Sequence, residues 1–186
     1  MTTFTNIALA LVCLVGVAGA DDKAAKPTVA RPEPPKPHAD LAAMAKTVIG
    51  AWKCKGDSFE MPGGAKTPVT ATNKVTVELD KFWIVDNLEV KGGMPFKMIA
   101  YTTYDSGAKK WRRVAVTNMG GYMVGTSDGM KDNKMDWNLD TVGPMSGQFR
   151  EHVDAGDARA GVKFWGEMSA DKGKTWFRVY EMACTK

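Results

Sequence analysis

Apolar and polar residues alternate in short segments from Trp52 to the C-terminus, and turn residues separate these segments. In the segment 74–80, for example, Val75, Val77 and Leu79 alternate with charged and hydroxyl side chains. A period of two residues is typical of a strand with one buried face, and strands spaced by roughly 10 to 15 residues indicate an all-β sandwich or barrel. The pattern predicts about ten strands and excludes a parallel fold in which strands alternate with helices.

Residues 1–20 have the pattern of a secretory signal peptide. An apolar run from Ile7 to Val17 is too short to cross a bilayer, and small residues ending at Ala20 precede two aspartates. The sequence therefore predicts cleavage after Ala20 and a secreted or periplasmic protein. Cys13 lies in the apolar run and would be removed with it. No later segment has the roughly 20 consecutive apolar residues that a membrane span requires.

Residues 21–40 predict a disordered tether, because five prolines fall between Pro27 and Pro37. This composition favours an extended polyproline conformation and does not build a core. Residues 41–186 would then form one domain that opens with a short helix, which Asp40 can cap. The apolar residues of this helix recur at helical spacing: Leu41, Met44, Ala45 and Val48.

Export leaves two cysteines, Cys54 in the first predicted strand and Cys184 in the last. In an oxidising compartment each has a single intramolecular partner, so we expect a disulfide between them. This bond makes the first and last strands neighbours and closes the strands into one antiparallel up-and-down barrel. With Cys54 opposite Cys184, residue 52 lies opposite Lys186.

The segment Gly50-Ala51-Trp52 resembles the opening signature of lipocalin-like barrels, in which the tryptophan closes the barrel floor and a distant arginine packs over it. This resemblance implies structural roles for Gly50 and Trp52. Arg150 is the expected arginine, because the cysteine register places Arg178 too far along its strand.

The chain as a whole resembles the bacterial family catalogued as domain of unknown function 1579, a family of small lipocalin-like proteins. This resemblance covers residues 41–186 and implies the fold without supplying catalytic residues. Besides the Gly50 segment, it rests on Asp80-Lys81-Phe82-Trp83, Tyr101-Thr102-Thr103-Tyr104-Asp105, Gly125, and the segment from Glu167 to Trp176.

Two carboxylates interrupt the apolar face of their strands. Asp86 is in register with Ile84, and Glu151 is in register with Phe149. An inward acid must be hydrogen-bonded or paired, because an isolated buried charge is costly. Arg178 falls on the predicted inward face of the last strand and could neutralise one of the two acids.

The sequence contains no catalytic motif and predicts no metal or cofactor. Of its two histidines, His38 lies in the tether and His152 on the polar side of a strand, so neither a histidine-rich metal site nor an inward haem ligand is expected. The basic cluster 109–113 divides between two faces of a strand and the net charge is only +4, so nucleic acid is not an expected partner. The segment 169–176 resembles the Asp-box hairpin of propellers, but without further repeats an ordinary turn is favoured.

The interior composition predicts a barrel that binds an apolar or amphipathic small molecule. Two alternatives stay open: a barrel enzyme that uses Asp86 and Glu151, and a protein-interaction module of the cell envelope that presents surface tryptophans. The eleven methionines that follow the predicted signal peptide suit either an adaptable binding wall or a filled core. The predicted ligand-binding residues are Asp86, Trp137, Phe149, Glu151, Phe164, Arg178 and Tyr180.

Overall fold

Among the residues that the structure describes, ten antiparallel strands close into a barrel in the computed structural model of this chain. The structure describes residues 33–60, 63–156 and 161–186. The predicted signal peptide, and the predicted tether up to residue 32, lie outside the described residues. Residues 35–186 form one compact unit. Within the described part of the chain, no helix has the length and apolar character needed to cross a bilayer.

The barrel strands follow one another in chain order, and one helix precedes them. The elements are α1 (Ala39–Val48), β1 (Gly50–Phe59), β2 (Lys66–Glu78), β3 (Trp83–Lys91), β4 (Phe96–Asp105), β5 (Lys110–Thr117), β6 (Tyr122–Ser127), β7 (Lys134–Val142), β8 (Gly147–Asp154), β9 (Val162–Ser169) and β10 (Phe177–Thr185). Each strand pairs with its sequence neighbours, and β1 pairs with β10 to complete the circle. The predicted all-β, up-and-down barrel with a short N-terminal helix is therefore confirmed.

Helix α1 closes one end of the barrel. Its N-cap is His38, whose ring nitrogen accepts a hydrogen bond from the backbone of Asp40, so the expected cap Asp40 lies in the first turn instead. The His38 ring also stacks on Tyr104, 4.2 Å away, near the end of β4. Leu41 and Ala45 are buried and belong to a core cluster that includes residues of β2, β3, β5 and β7. We call the end of the barrel that α1 closes the helix end, and the opposite end of the barrel the far end.

The turn between β2 and β3 begins earlier than the alternating pattern predicts. Leu79, Asp80 and Lys81 all have positive φ angles, and β2 ends at Glu78. Leu79 is 68% exposed, so the prediction that it lies on the buried face of the strand is wrong. The reason is local, because three successive left-handed residues leave the pleated path and take the side chain out of the alternation.

The predicted disulfide between Cys54 and Cys184 joins β1 to β10. The two cysteines are directly paired across the strands and lie 130 residues apart in sequence. The predicted position of Trp52 opposite the last residue fits the structure, since Lys186 Nζ lies 4.8 Å from the centre of the Trp52 ring. The indole nitrogen of Trp52 donates to the carbonyl of Val48 at 2.8 Å and so ties β1 to the helix.

The expectation that Arg150 covers Trp52 is wrong. Arg150 pairs with Asn138 and Glu167 on the neighbouring strands, and its guanidinium lies 3.9 Å from the Trp176 ring. The alternation of β8 explains this placement, because the flanking residues of Arg150 line the interior and Arg150 itself therefore points outwards. The end of the chain supplies the cation over Trp52 instead.

The outer face of β4, β5 and β6 carries an exposed apolar surface. Its members are cross-strand neighbours, and each is more than a third exposed: Ile99, Tyr101, Val114, Val116, Tyr122 and Val124. The six tryptophans, in contrast, are all buried or half-buried. Trp165 and Trp176 lie on the outer side of the barrel, where His152 and Arg150 partly cover their rings, so the interaction-module alternative stays open.

The turn between β9 and β10 is built around Asp171. Its carboxylate accepts hydrogen bonds from the Ser169 hydroxyl at 2.8 Å, from the Lys174 backbone at 3.0 Å, and from the backbone and hydroxyl of Thr175 at 2.9 and 2.6 Å. These bonds lower the pKa of Asp171 to about 2, those from Thr175 having the largest effect. The Asp-box-like segment thus serves as a turn, as favoured from the sequence.

Removing the disulfide should destabilise the barrel strongly. We expect Cys54→Ser combined with Cys184→Ser to lower the free energy of unfolding by about 2–5 kcal/mol, since the bond closes a long loop in the unfolded chain. Chemical denaturation of the oxidised protein and the double variant measures this difference. Equal midpoints, or two free thiols in the unfolded and unreduced protein, would contradict the assignment.

The Asp171 turn should make part of the stability depend on pH in the acid range. Because its pKa is lower in the folded chain, the contribution is complete above the ordinary aspartate pKa of about 4 and is lost as the pH falls towards 2. We therefore expect Asp171→Asn to lower the melting temperature at pH values near neutrality and to differ less from the parent protein as the pH falls through this window. A melting difference that stays constant from neutral to acid pH would contradict this role.

Candidate ligand-binding cavity

The inner faces of the strands enclose a cavity of about 830 Å³. Small-molecule sites in proteins typically occupy about 300–1,000 Å³ and combine apolar walls with a few placed polar groups. Most lining side chains of this cavity are aliphatic, aromatic or methionine. The interior is therefore not a completely filled core, and its volume suits a small organic molecule.

The helix end of the interior is filled by packed side chains. Trp111, Met135 and Trp137 are at most 4% exposed and pack in one cluster with Leu41 of the helix and Ile84 of β3. This cluster forms the floor of the cavity. Strand alternation accounts for it, because each member occupies an inward position close to the end that α1 covers.

An ion pair lies inside the barrel beside this floor. The guanidinium of Arg113 donates to Glu151 Oε1, and the Tyr180 hydroxyl donates to Glu151 Oε2 at 2.7 Å. Arg113 also donates to the Thr102 hydroxyl at 3.2 Å and lies 4.1 Å from the centre of the Trp137 ring. Both charged side chains are about 15% exposed, so the pair is largely shielded from solvent. Hydrogen bonds of this kind are what make a buried ion pair tolerable.

Tyr180 keeps its proton in this environment. Burial raises the pKa of the Tyr180 phenol well above its ordinary value, and the negative charge of Glu151 adds to the rise. The ring lies against Gly166, where an added Cβ would approach the Tyr180 ring to 2.5 Å. Gly166 thus leaves the space that the tyrosine needs to reach Glu151.

Asp86 is a second inward carboxylate. It lines the cavity from β3 and accepts a hydrogen bond from the Asn73 amide at 3.0 Å. Burial raises the pKa of the Asp86 carboxyl and Glu151 raises it further, while Arg113 and the Asn73 hydrogen bond act in the opposite direction. Asp86, Arg113 and Glu151 are thus close enough to influence one another.

Two buried polar atoms beside the cavity have no hydrogen-bond partner within the described residues. They are the indole nitrogen of Trp137, a donor, and the amide oxygen of Asn73, an acceptor. Buried polar groups are normally satisfied, and an unpaired one calls for a physical explanation. Both residues line the cavity with other atoms, while these two atoms themselves are covered by neighbouring groups.

Methionine is the most frequent residue type around the cavity. The ten methionines in the described part of the chain all line it: Met44, Met94, Met98, Met119, Met123, Met130, Met135, Met145, Met168 and Met182. Met94, Met119 and Met145 belong to the turns after β3, β5 and β7, which an up-and-down barrel places together at the far end. Flexible, polarisable thioether chains adapt well to ligands of varied shape.

The structure brings most of the predicted ligand-binding residues together. The six that line the cavity are Asp86, Trp137, Phe149, Glu151, Phe164 and Tyr180. Arg178 does not line it: its guanidinium bonds to Glu181 at 3.0 Å and lies 3.6 Å from Glu167 on the outer face. The expected inward position of Arg178 is wrong because the pairing with β9 shifts by one residue between Arg178 and Tyr180, and this bulge reverses the alternation.

Arg113 is the cavity residue that sequence reasoning missed. It belongs to the basic cluster 109–113, and its charged neighbours made the whole segment resemble a solvated strand. The usable signal was strand alternation, which places Arg113 on the same face as the buried Trp111. The pairing of Arg113 with Glu151, 38 residues away, is not visible in the local sequence.

His152 points away from the cavity, as its position in the alternating pattern predicts. Its Nδ1 lies 2.7 Å from Asp136 Oδ1, and its ring stacks on Trp165. In the part of the chain that the structure describes, no group of three or more His, Cys, Asp or Glu residues is placed to hold a metal ion.

A closed ten-stranded barrel with a helix at one end and an apolar cavity defines the lipocalin-like class of protein. The model of the family described as "Protein of unknown function (DUF1579)" matches residues 33–183, and the chain belongs to this family. Among solved structures, the chain is similar to the crystal structure of Rv2717c from M. tuberculosis, with 10% identity and a TM-score of 0.61. That match covers 81% of this chain and 99% of the other, and at such low identity it shows the fold alone. No curated protein matches the chain.

Replacing the buried Arg113 should destabilise the protein much more than replacing its exposed neighbour Arg112. We expect Arg113→Leu to lower the free energy of unfolding by about 3–5 kcal/mol, because Glu151 then stays buried without its partner. The control Arg112→Leu breaks only an exposed pair with Asp105 and should cost about 1 kcal/mol or less. Urea denaturation of both variants gives the comparison, and equal losses would contradict the buried ion pair.

Proposed function

We propose that this protein is exported and that its barrel binds an apolar or amphipathic small molecule. The observation that carries the proposal is the cavity of about 830 Å³, whose apolar walls enclose a small group of polar side chains near the floor. Trp137, Phe149, Phe164 and Tyr180 supply aromatic surface, and Asp86 with Glu151 supplies placed polar groups. Export is supported by the predicted signal peptide and by the disulfide, which is typical of oxidising compartments.

The enzyme alternative finds less support in the arrangement of the two acids. Both oxygens of Glu151 already accept hydrogen bonds, from Arg113 and from Tyr180, so this carboxylate is not poised to take a proton from a substrate. Asp86 alone, with its pKa raised by burial, is a single acid without a paired base. A binding role requires no change in the hydrogen bonds that Asp86 and Glu151 already make.

Titration with an environment-sensitive apolar dye tests the proposal. We expect saturable binding of the dye to the folded protein, and Phe164→Ala should weaken it roughly tenfold through lost apolar contact. This substitution should cost less stability than the 3–5 kcal/mol expected, to order of magnitude, in a solid core. Native mass spectrometry of protein purified from its own host should show a co-purifying small molecule.

The exposed apolar surface on β4 to β6 provides the matched control. Val116 lies on this surface, and Val116→Ser should leave dye affinity unchanged if the dye occupies the cavity. Loss of dye binding in Val116→Ser but not in Phe164→Ala would place the dye on the outer surface. That result, or the absence of both saturable binding and a co-purifying mass, would overturn the proposal.

A further inference from the structure

The polar groups of the cavity lie at one level along the barrel. On β3, Ile84 belongs to the packed floor, Asp86 follows two residues later, and Leu88 lies further towards the far end. On β5, Trp111 belongs to the floor and Arg113 follows at the next inward position. The interior is thus layered along the barrel axis, with a polar layer between the packed floor and the apolar far half.

The far half offers mainly apolar surface, and its charged lining residue among those described is Glu60, which follows β1. Phe96 and Phe177 line this half together with the methionines of the turns after β3, β5 and β7. Hydrocarbon that enters the cavity gains most from burial against this part of the wall. An amphipathic molecule therefore matches the cavity in one orientation, with its polar head at the inner layer and its tail towards the far end.

The charges of the cavity select the kind of head group. Among the described residues, the charged side chains that line the cavity are Glu60, Asp86, Glu151 and Arg113. Three are acids, and the single cation is already bonded to Glu151. The polar layer itself, Asp86 with the Arg113–Glu151 pair, is neutral when Asp86 is protonated and carries one negative charge when it is ionised. An anionic head group would meet this excess of carboxylates without a free cation to receive it.

The hydrogen bonding of Asp86 indicates what the head group must offer. The Asp86 carboxyl lines the cavity and accepts a hydrogen bond from the Asn73 amide nitrogen. A carboxylate has further acceptor capacity, which calls for a ligand that donates hydrogen bonds. The unpaired Asn73 oxygen and Trp137 nitrogen have almost no accessible surface and do not contact a molecule in the cavity.

From these observations we infer that the cavity binds an amphipathic molecule head-first, through a hydrogen-bond-donating head group that is uncharged or cationic. The head group, such as a hydroxyl, an amide or an amine, is held at Asp86, and the tail lies towards the methionines of the far end. Amphiphiles with a carboxylate or phosphate head are rejected, with Asp86 as the selectivity residue. The inference rests on the proposed binding function and adds its ligand class.

Three probes of equal chain length test the head group: dodecanol, dodecylamine and dodecanoate. Each is used below its micelle-forming concentration, to displace the bound apolar dye at neutral pH. Dodecanol and dodecylamine should displace the dye, and dodecanoate should require at least about tenfold higher concentration, because like charges repel strongly in a low-dielectric interior. Displacement by dodecanoate as good as that by the other two would overturn the inference while leaving the proposed function intact.

Asp86→Asn tests the selectivity residue. This substitution preserves the shape of the side chain and removes its charge, so dodecanoate and dodecylamine should become closer in affinity by roughly tenfold. The matched control is Glu89→Gln on the outer face of the same strand, where Glu89 pairs with Lys97, and it should leave the order of the probes unchanged. An unchanged order in a folded Asp86→Asn protein would overturn the role of Asp86. If this variant does not fold, the order of the probes on the parent protein still decides the ligand class.

The orientation of the ligand can be read from the methionine methyl groups. A dodecylamine derivative with a nitroxide at the end of its tail should broaden the NMR signals of Met94, Met119 and Met145 more than that of Met135 in the floor. The reverse pattern would overturn head-first binding. If neither the dye nor any of the three probes binds, the proposed function fails as a whole, which is distinct from a failure of the head-group inference.

Discussion

The pairing of β1 with β10 is the interaction on which the rest of this structure depends. It converts a meander of strands into a closed barrel, in which no strand presents a free edge. Closure also creates an inside and an outside, so that the position of a residue in the alternation decides whether it faces solvent or the cavity. The disulfide joins these two strands at paired residues. The cavity, its polar layer and the exposed apolar surface all follow from this closure.

Much of the fold could be predicted because it depends on local patterns. Period-two alternation is a property of a few neighbouring residues, and it correctly placed Asp86 and Glu151 on inward faces. The pairing of Cys54 with Cys184 followed from a simple count, since the predicted signal peptide contains the third cysteine, Cys13. That single pairing also set the register of β1 against β10, which no local pattern contains.

The errors arose where the structure depends on contacts between distant segments. The bulge that turns Arg178 outwards is a shift in its pairing with β9, and nothing in the sequence of β10 marks it. Arg113 becomes an interior residue because acceptors on β4 and β8 receive its hydrogen bonds. The charge that neutralises the interior acid was therefore assigned to the wrong arginine. Alternation predicts which face a side chain takes only where the pairing is regular, and charge alone does not reveal where a cation finds its partner.

The methionine lining gives the interior a chemical weakness that the barrel wall does not share. Oxidation of a thioether to a sulfoxide turns a flexible apolar side chain into a polar one. Met94 and Met145 are exposed at the far end, whereas Met135 and Met182 are buried in the core. Oxidation would therefore reach the far end first and make that part of the cavity polar without changing the backbone hydrogen bonds of the strands. Loss of the apolar surface at the far end would then precede loss of the fold. A bound tail that fills the far half would shield the sulfurs, so occupancy would itself preserve the capacity to bind.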